Sequence, residues 1–108
     1  MPADNLHGAL NLLVLKLLAS RAPLHGYAIM TAIQVASEDI LRVEQGSLYP
    51  ALHRMEEAGW ISADWTQTEN GKRVRAYSLT KRGRQELEAA EQRWATVTTA
   101  VNHVLRTA

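Results

Sequence analysis

Residues 46–61 carry a complete set of helix signals and constrain the fold more than any other part of the chain. Ser47 can cap the free N–H groups of a first turn that also holds Pro50, and Gly59 can supply the left-handed residue that ends a helix. At about 100° per residue the apolar side chains fall on one side and most polar ones opposite. The stretch therefore predicts a short amphipathic helix lying on a core.

The residues after this helix predict a β-hairpin. Residues 62–68 favour a strand, Asn70-Gly71 is typical of a two-residue hairpin turn, and residues 73–79 can return as the second strand. On that second strand Arg73, Arg75, Tyr77 and Leu79 share one face. Helix, strand, tight turn and strand in this order predict a winged helix-turn-helix, whose recognition helix would enter the major groove of DNA.

Five short motifs occur in a fixed order along the chain: Leu24-His25-Gly26-Tyr27, Gln45-Gly46-Ser47-Leu48-Tyr49-Pro50-Ala51-Leu52, Met55-Glu56-Glu57, Gly59-Trp60-Ile61 and Tyr77-Ser78-Leu79-Thr80-Lys81-Arg82-Gly83. Together they resemble the PadR family of bacterial transcriptional regulators, over nearly the whole chain. The resemblance implies DNA contacts from Tyr49 and from the basic wing. It also implies a C-terminal helix exchanged across a two-fold axis, with a single such helix here, as in the shorter members.

Basic residues are concentrated around the predicted wing, although the net charge is only +1. Half of the 12 Lys and Arg residues lie between positions 72 and 84, with no acidic residue among them. They are Lys72, Arg73, Arg75, Lys81, Arg82 and Arg84. They could be merely solvated charge, but on a wing and the turn after it such a cluster favours contact with phosphate.

Base reading is expected from the N-terminal half of the recognition helix, because Glu56 and Glu57 would be repelled deeper among phosphates. Tyr27 could bond a phosphate from the groove edge or pack on the core. Arg54 could pair with guanine or phosphate, or with Glu57 three residues on. The residues predicted to contact DNA are Tyr27, Gln45, Ser47, Tyr49, Pro50, His53, Arg54, Lys72, Arg73 and Arg75.

The first helix is predicted over residues 6–19 and is apolar nearly all round, with Leu6, Leu10, Leu13 and Leu17 in one stripe. A helix of this kind is buried on more than one side. Since one small domain can cover only one side, the other is expected to meet a second subunit. A second helix over residues 25–37 presents Ile29, Ala32, Ile33 and Ala36 to the core, and Ile40, Leu41 and Val43 of the following linker are expected to close that core.

The last helix is predicted to begin at Thr80, a cap candidate, and to extend toward Leu105. Its apolar residues repeat at alternating spacings of three and four, which is the seam of a coiled coil. The alternative is packing on the chain's own first helix. We predict a homodimer with an interface formed by Leu6, Leu10, Leu87, Ala90, Trp94, Val97, Val101 and Val104.

Trp94 lies in the middle of this seam, where a flat amphipathic ring is unusual. The family resemblance implies an effector site, since some short PadR-like regulators bind planar apolar compounds at the dimer interface beside a Trp on this helix. Trp94, Leu10 and Leu13 are the predicted effector contacts. The alternative is that Trp94 anchors the interface with no ligand.

Several function classes lack their usual signals in this sequence. There is no Cys, and the four His residues lie on four different predicted elements without a paired metal-ligand spacing. Gly-x-Ser-x-Gly, His-Glu-x-x-His and a Gly-rich phosphate loop are absent, so we expect neither an enzyme nor a bound metal or cofactor. No leader signal or apolar span is evident, which favours a soluble cytoplasmic protein.

The predicted fold is mainly α with a small β-hairpin. A winged helix-turn-helix would occupy residues 1–80 and a long C-terminal dimerisation helix residues 81–108, as one compact unit. The predicted function is a homodimeric transcriptional regulator, more specifically a repressor, that binds double-stranded DNA. Two alternatives remain: a winged helix that binds only another protein, and a DNA binder that responds to no effector.

Overall fold

The computed structural model describes residues 9–108, which form four helices and a three-stranded sheet. In chain order the elements are α1 (Leu10–Arg21), β1 (Leu24–His25), α2 (Gly26–Ala36), α3 (Gln45–Glu57), β2 (Ile61–Gln67), β3 (Arg73–Leu79) and α4 (Lys81–Thr107). The predicted fold class is confirmed, and β3 has the predicted bounds. Leu6, assigned to the first helix from sequence, lies outside the described residues.

The sheet contains one strand more than the predicted hairpin. Its order is β1-β3-β2, and β1 pairs with β3 in an antiparallel manner, with Leu24 opposite Tyr77. Two residues are too few to show the alternation by which a strand is read from sequence. The consequence for the site is that the start of α2 is attached directly to the wing, here defined as β2, β3 and the loop between them.

The hairpin loop has three residues rather than the predicted two. Thr68 N–H donates to the Lys72 carbonyl at 2.9 Å, and Gly71 N–H donates to the Thr68 carbonyl at 2.8 Å. Among the loop residues only Gly71 has a positive φ, of 79°. A two-residue Asn-Gly turn would require the left-handed conformation at Asn70 as well, so the loop is a turn followed by a glycine bulge.

Helix α3, the predicted recognition helix, begins at Gln45, earlier than expected, with Glu44 in the cap position and no side-chain cap. The Glu44 carbonyl accepts hydrogen bonds from the N–H groups of Ser47 and Leu48 at 3.0 Å each. Ser47 is therefore inside the first turn and is not the cap, and Pro50 lies within the helix.

The predicted end of α3 is confirmed. Gly59 has φ of 81°, and Trp60 N–H donates to the Met55 carbonyl at 3.0 Å. Gly59 N–H also donates to the Glu56 carbonyl at 3.0 Å. These two bonds form a Schellman motif, which satisfies carbonyls that the helix end would otherwise leave free.

The core lies where the first three helices meet the base of the sheet. Its most buried side chains are Val14, Leu15, Leu18, Ile29, Leu48, Leu52 and Met55. Val43 is buried as predicted, but Ala36 and Ile40 are exposed, contrary to prediction. Glu38 and Asp39 adopt positive φ values of 54° and 66°, and this tight left-handed turn directs Ile40 outward.

Helix α4 is capped by Thr80 as predicted, because its hydroxyl accepts a hydrogen bond from Gly83 N–H at 3.0 Å. Leu87 packs in the core, and Lys16 of α1 lies 3.6 Å from Glu91. From Glu91 onward every α4 residue is exposed, so the helix extends beyond the body of a molecule that measures 55 × 29 × 21 Å.

Among residues 9–108, no helix combines the length and the apolar character needed to cross a membrane.

Candidate nucleic-acid interface

A cleft of about 700 Å³ lies between α3, the start of α2 and the wing. The wing reaches it because β3 is held between β1 and β2, and α2 follows β1 directly. Six of the ten predicted DNA contacts line this cleft: Tyr27, Gln45, Tyr49, His53, Lys72 and Arg75. The fold thus brings together residues that are up to 48 positions apart in sequence.

The other four predicted contacts lie beside the cleft rather than in its wall. Pro50 and Arg54 are exposed on α3, and Ser47 is half-buried in its first turn. Arg73 is exposed on the wing. Of the alternatives for Arg54, the pair with Glu57 is not formed, because the Glu57 carboxylate lies 3.3 Å from Nε2 of His53 instead.

Tyr49 is positioned by a glycine on another helix. A Cβ on Gly26 would lie 2.6 Å from the Tyr49 hydroxyl oxygen and 2.8 Å from its ring, so a larger residue at this position would displace the Tyr49 side chain. His25, a cleft residue that sequence reasoning missed, caps the same helix start by accepting a hydrogen bond from Ala28 N–H at 3.3 Å. Tyr27 is 65% exposed and is therefore not a core residue.

Arg75 forms a bidentate ion pair with Glu56 of α3. Its Nη1 donates to Oε1 of Glu56 at 3.1 Å and its Nη2 donates to Oε2 at 2.7 Å. The hydrogen bonds to Glu56 raise the pKa of Arg75 above its already high ordinary value, so the guanidinium stays charged. Both Nη groups face Glu56 in the free protein. Sequence reasoning placed Glu56 only as a repulsive charge, because a pair 19 positions apart leaves no local signal.

Tyr77 lies beneath this ion pair and is 5% exposed. Burial raises the pKa of its hydroxyl; Arg75 opposes that shift, while Glu56 and Tyr49 add to it. The phenol is therefore neutral at physiological pH, and it contributes an uncharged floor to the cleft.

Arg73 has a different partner, Trp65 on the neighbouring strand. The Arg73 guanidinium carbon lies 4.6 Å from the centroid of the Trp65 ring, and Trp65 is 59% exposed. Gln67 is opposite Arg73 and Trp65 is opposite Arg75, so these side chains share one face of the wing. Trp65 is a further residue that sequence reasoning did not assign to the site.

The predicted dimer interface is divided by the fold into covered and uncovered residues. Leu10 and Leu87 are buried in the chain's own core, while Ala90 is half-buried. Leu13, predicted only as an effector contact, is also half-buried. The uncovered members are each at least 50% exposed: Trp94, Val97, Val101 and Val104. The part of α4 after Glu91 therefore presents a continuous apolar stripe to the surroundings.

The side chains of the site are suited to binding a ligand through charge, aromatic contact and hydrogen bonds. Within residues 9–108, no group of three or more His, Cys, Asp and Glu side chains is arranged to hold a metal ion. The cleft and its rim offer guanidinium, ammonium, imidazole and phenol groups, which suit phosphates and base edges.

Comparison with known proteins identifies relatives. The model of the transcriptional regulator PadR-like family matches residues 14–89. A PadR-like transcriptional regulator from Bacillus cereus is 28% identical, with 97% of this chain and 99% of that one aligned and a TM-score of 0.78. A PadR family regulator from Eggerthella lenta is 28% identical over 97% of this chain and 88% of that one, with a TM-score of 0.82.

A third solved structure, a PadR family regulator from a hypervirulent Clostridium difficile, is 30% identical over 88% of this chain and 96% of its own, with a TM-score of 0.71. No curated protein matches the chain significantly. Both the sequence model and the solved structures thus point to one class of regulator.

Proposed function

The chain belongs to the PadR-like family of transcriptional regulators, and from this premise we propose that it represses transcription by binding an inverted-repeat operator as a homodimer. The observation that carries the proposal is the cleft, in which the recognition helix, the start of α2 and the wing bring their polar and basic side chains together. Such a surface matches the backbone and one groove edge of duplex DNA.

Helix α3 would enter the major groove with its polar face. Tyr49, His53 and Arg54 are exposed there, and the N–H groups of Gln45 and Gly46, at the start of the helix, suit a phosphate oxygen. The charge of Glu56, which would oppose this approach, is offset by Arg75. Lys72 and Arg73 on the wing would then meet the backbone or groove beside the half-site.

The dimer is supported by the uncovered apolar stripe of α4. Its 27 residues span roughly 40 Å, and the half beyond Glu91 has no partner within the described part of the chain. A second copy related by a two-fold axis would cover the stripe with its own equivalent surface. Two recognition helices about 34 Å apart would then read the two halves of an inverted repeat.

The test is fluorescence anisotropy with DNA from upstream of the chain's own gene, against scrambled DNA, at several salt concentrations. We expect specific binding whose affinity falls steeply as the salt concentration rises. Lys72→Ala should reduce the slope of log binding constant against log salt concentration by about one, because one phosphate contact is lost. Run-off transcription from the same promoter is expected to fall as the protein is added. No binding to any DNA at low salt would instead favour a winged helix that serves a protein partner.

We further propose that a planar apolar effector binds beside Trp94 and releases the operator. Trp94 is half exposed in the apolar stripe, and α4 is joined to the end of α3 through Thr80, so a ligand between two copies could change the angle between the two wings. Leu13 on α1 is half-buried and stays a candidate contact, whereas Leu10 is covered by the core.

The effector proposal predicts that Trp94→Ala weakens the binding of a planar aromatic dye such as acridine at least tenfold, because the stacking surface is lost. Fluorescence anisotropy of the dye itself, measured without DNA, checks this, because that signal does not depend on the tryptophan that is removed. Trp65→Ala is the matched control, since it removes an exposed Trp from the wing and should leave dye affinity unchanged. Equal affinity in the Trp94 variant and the native protein would contradict the proposal.

A further inference from the structure

We infer that Trp65 holds Arg73 in position to read the width of the DNA minor groove next to each half-site, so that the operator is flanked there by A·T-rich sequence. This rests on the proposed function and assigns a separate task to one residue of the wing. It is carried by the contrast between the two wing arginines and by the exposure of Trp65.

The two arginines lie on one face of β3 and have different partners. Arg75 is turned toward α3 and makes two hydrogen bonds to Glu56. Arg73, two residues closer to the loop, lies over the Trp65 ring at 4.6 Å. Arg75 therefore fixes the wing against the recognition helix, while Arg73 is left for a partner outside the chain.

The stack with Trp65 prepares Arg73 for binding. An arginine over an indole ring keeps its charge and its in-plane N–H donors, and the guanidinium is only weakly hydrated. Because the ring limits the motion of the long side chain, less conformational entropy is lost when the guanidinium binds DNA. Trp65 is 59% exposed, so its ring contributes far more to the surface of the wing than to the core.

The position of Arg73 suits the minor groove. It is four residues from Tyr77, the buried end of this face, and a strand rises ~3.3 Å per residue, so Arg73 lies roughly 13 Å beyond the core. With α3 in the major groove, the flanking minor groove is half a DNA turn away, roughly 17 Å. Arg73 begins β3 next to the loop, at the part of the wing farthest from the core, from which a long basic side chain can extend toward that groove.

The class of sequence follows from the shape of that groove. Runs of A·T base pairs narrow the minor groove and strengthen its negative potential, which attracts arginine. In the stretch from Trp65 to Arg75 the only acidic residue is Glu69, in the loop. A cation held at the wing face is therefore expected to favour A·T-rich flanks without reading individual bases.

The experiment measures anisotropy on the bound promoter fragment, with the flanks beside each half-site made either A·T-rich or G·C-rich. We expect the native protein to prefer A·T-rich flanks by about five- to tenfold. Arg73→Ala should abolish this preference and reduce the salt slope by about one. Trp65→Ala should weaken binding to A·T flanks about two- to fivefold, and Trp65→Phe should retain most of the affinity.

A double variant tests whether Trp65 acts through Arg73. If it does, Trp65→Ala causes no further loss in the Arg73→Ala background. Thr66→Ala, on the opposite face of β2, is the control for the strand and is expected to leave the flank preference in place.

Indifference of the native protein to the flanks, or a Trp65→Ala loss that persists without Arg73, would overturn the inference while leaving specific operator binding intact. Failure of the native protein to bind DNA would overturn the proposed function as well. The two results are therefore distinguishable in the same titration.

Discussion

Val101→Glu is expected to separate the proposed dimer into monomers and to weaken operator binding about a hundredfold or more. Val101 is 50% exposed in the single chain and lies in the apolar stripe of α4. In a two-fold dimer the substitution occurs twice and places unpaired carboxylates in an apolar interface. Because a dimer gains affinity by engaging two half-sites together, its loss removes that gain.

Light scattering after size exclusion reports the molecular mass of this variant, and anisotropy reports its affinity for the operator. Thr99→Glu is the matched control: it adds the same charge two residues away, on the opposite side of the helix, and should leave both measurements unchanged. Circular dichroism separates dissociation from unfolding, since the buried core residues lie outside the exposed half of α4. A dimeric Val101→Glu variant would contradict the proposed interface.

Gly83→Ala is expected to lower the free energy of unfolding by about 3 kcal/mol, because its methyl group has no room. An added Cβ would overlap the carbonyl oxygen of Trp60 and lie 2.6 Å from Cδ1 of Leu79. The carbonyl belongs to the backbone and cannot rotate away as a flexible side chain could. For a chain of this size the corresponding fall in Tm is roughly 12 to 20 °C.

Thermal and urea unfolding, followed by circular dichroism at fixed protein concentration, measure this effect. Gly46→Ala is the control, since a Cβ at Gly46 meets nothing within 4 Å and the residue lies in the first turn of α3. Its stability should be unchanged or slightly raised, because alanine favours helix. Equal stability of the Gly83 and Gly46 variants would show that α4 can shift away from Trp60 without loss.

Gly83 lies at the junction between α3, the proposed recognition helix, and α4, the proposed dimerisation helix. The Thr80 hydroxyl lies 2.6 Å from the Gly59 carbonyl and 2.9 Å from the Trp60 carbonyl, and Thr80 N–H donates to the Trp60 carbonyl at 3.0 Å. The end of α3 is therefore attached to the start of α4 without a flexible linker. A change in the angle of α4 would be transmitted to the recognition helix, as the proposed effector response requires.

The sequence by itself determined the elements that local chemistry specifies. Gly59 marks the end of α3 because a left-handed residue there has a low energy only for glycine, and Thr80 caps α4 because its hydroxyl reaches Gly83 N–H. The bounds of β3 followed from turn residues and alternation. The order and spacing of the short motifs also indicated the family, because motif order and spacing can be read from the sequence alone.

Only the tertiary structure decided which side chains meet. The partnership of Arg75 with Glu56, the stack of Arg73 on Trp65 and the contact of Tyr49 with Gly26 each join different elements. Their geometry depends on how strands and helices pack. The same holds for β1, whose two residues become a strand only because β3 lies alongside.

The division follows the range of the forces involved. Caps, turns and helical periodicity act over a few residues, so the sequence displays them directly. Ion pairs, stacking and burial depend on distances of a few ångströms between residues far apart in the chain, and these distances exist only after packing. The sequence therefore determined what kind of regulator this chain is, and the tertiary structure assigned separate partners to the two arginines of its wing.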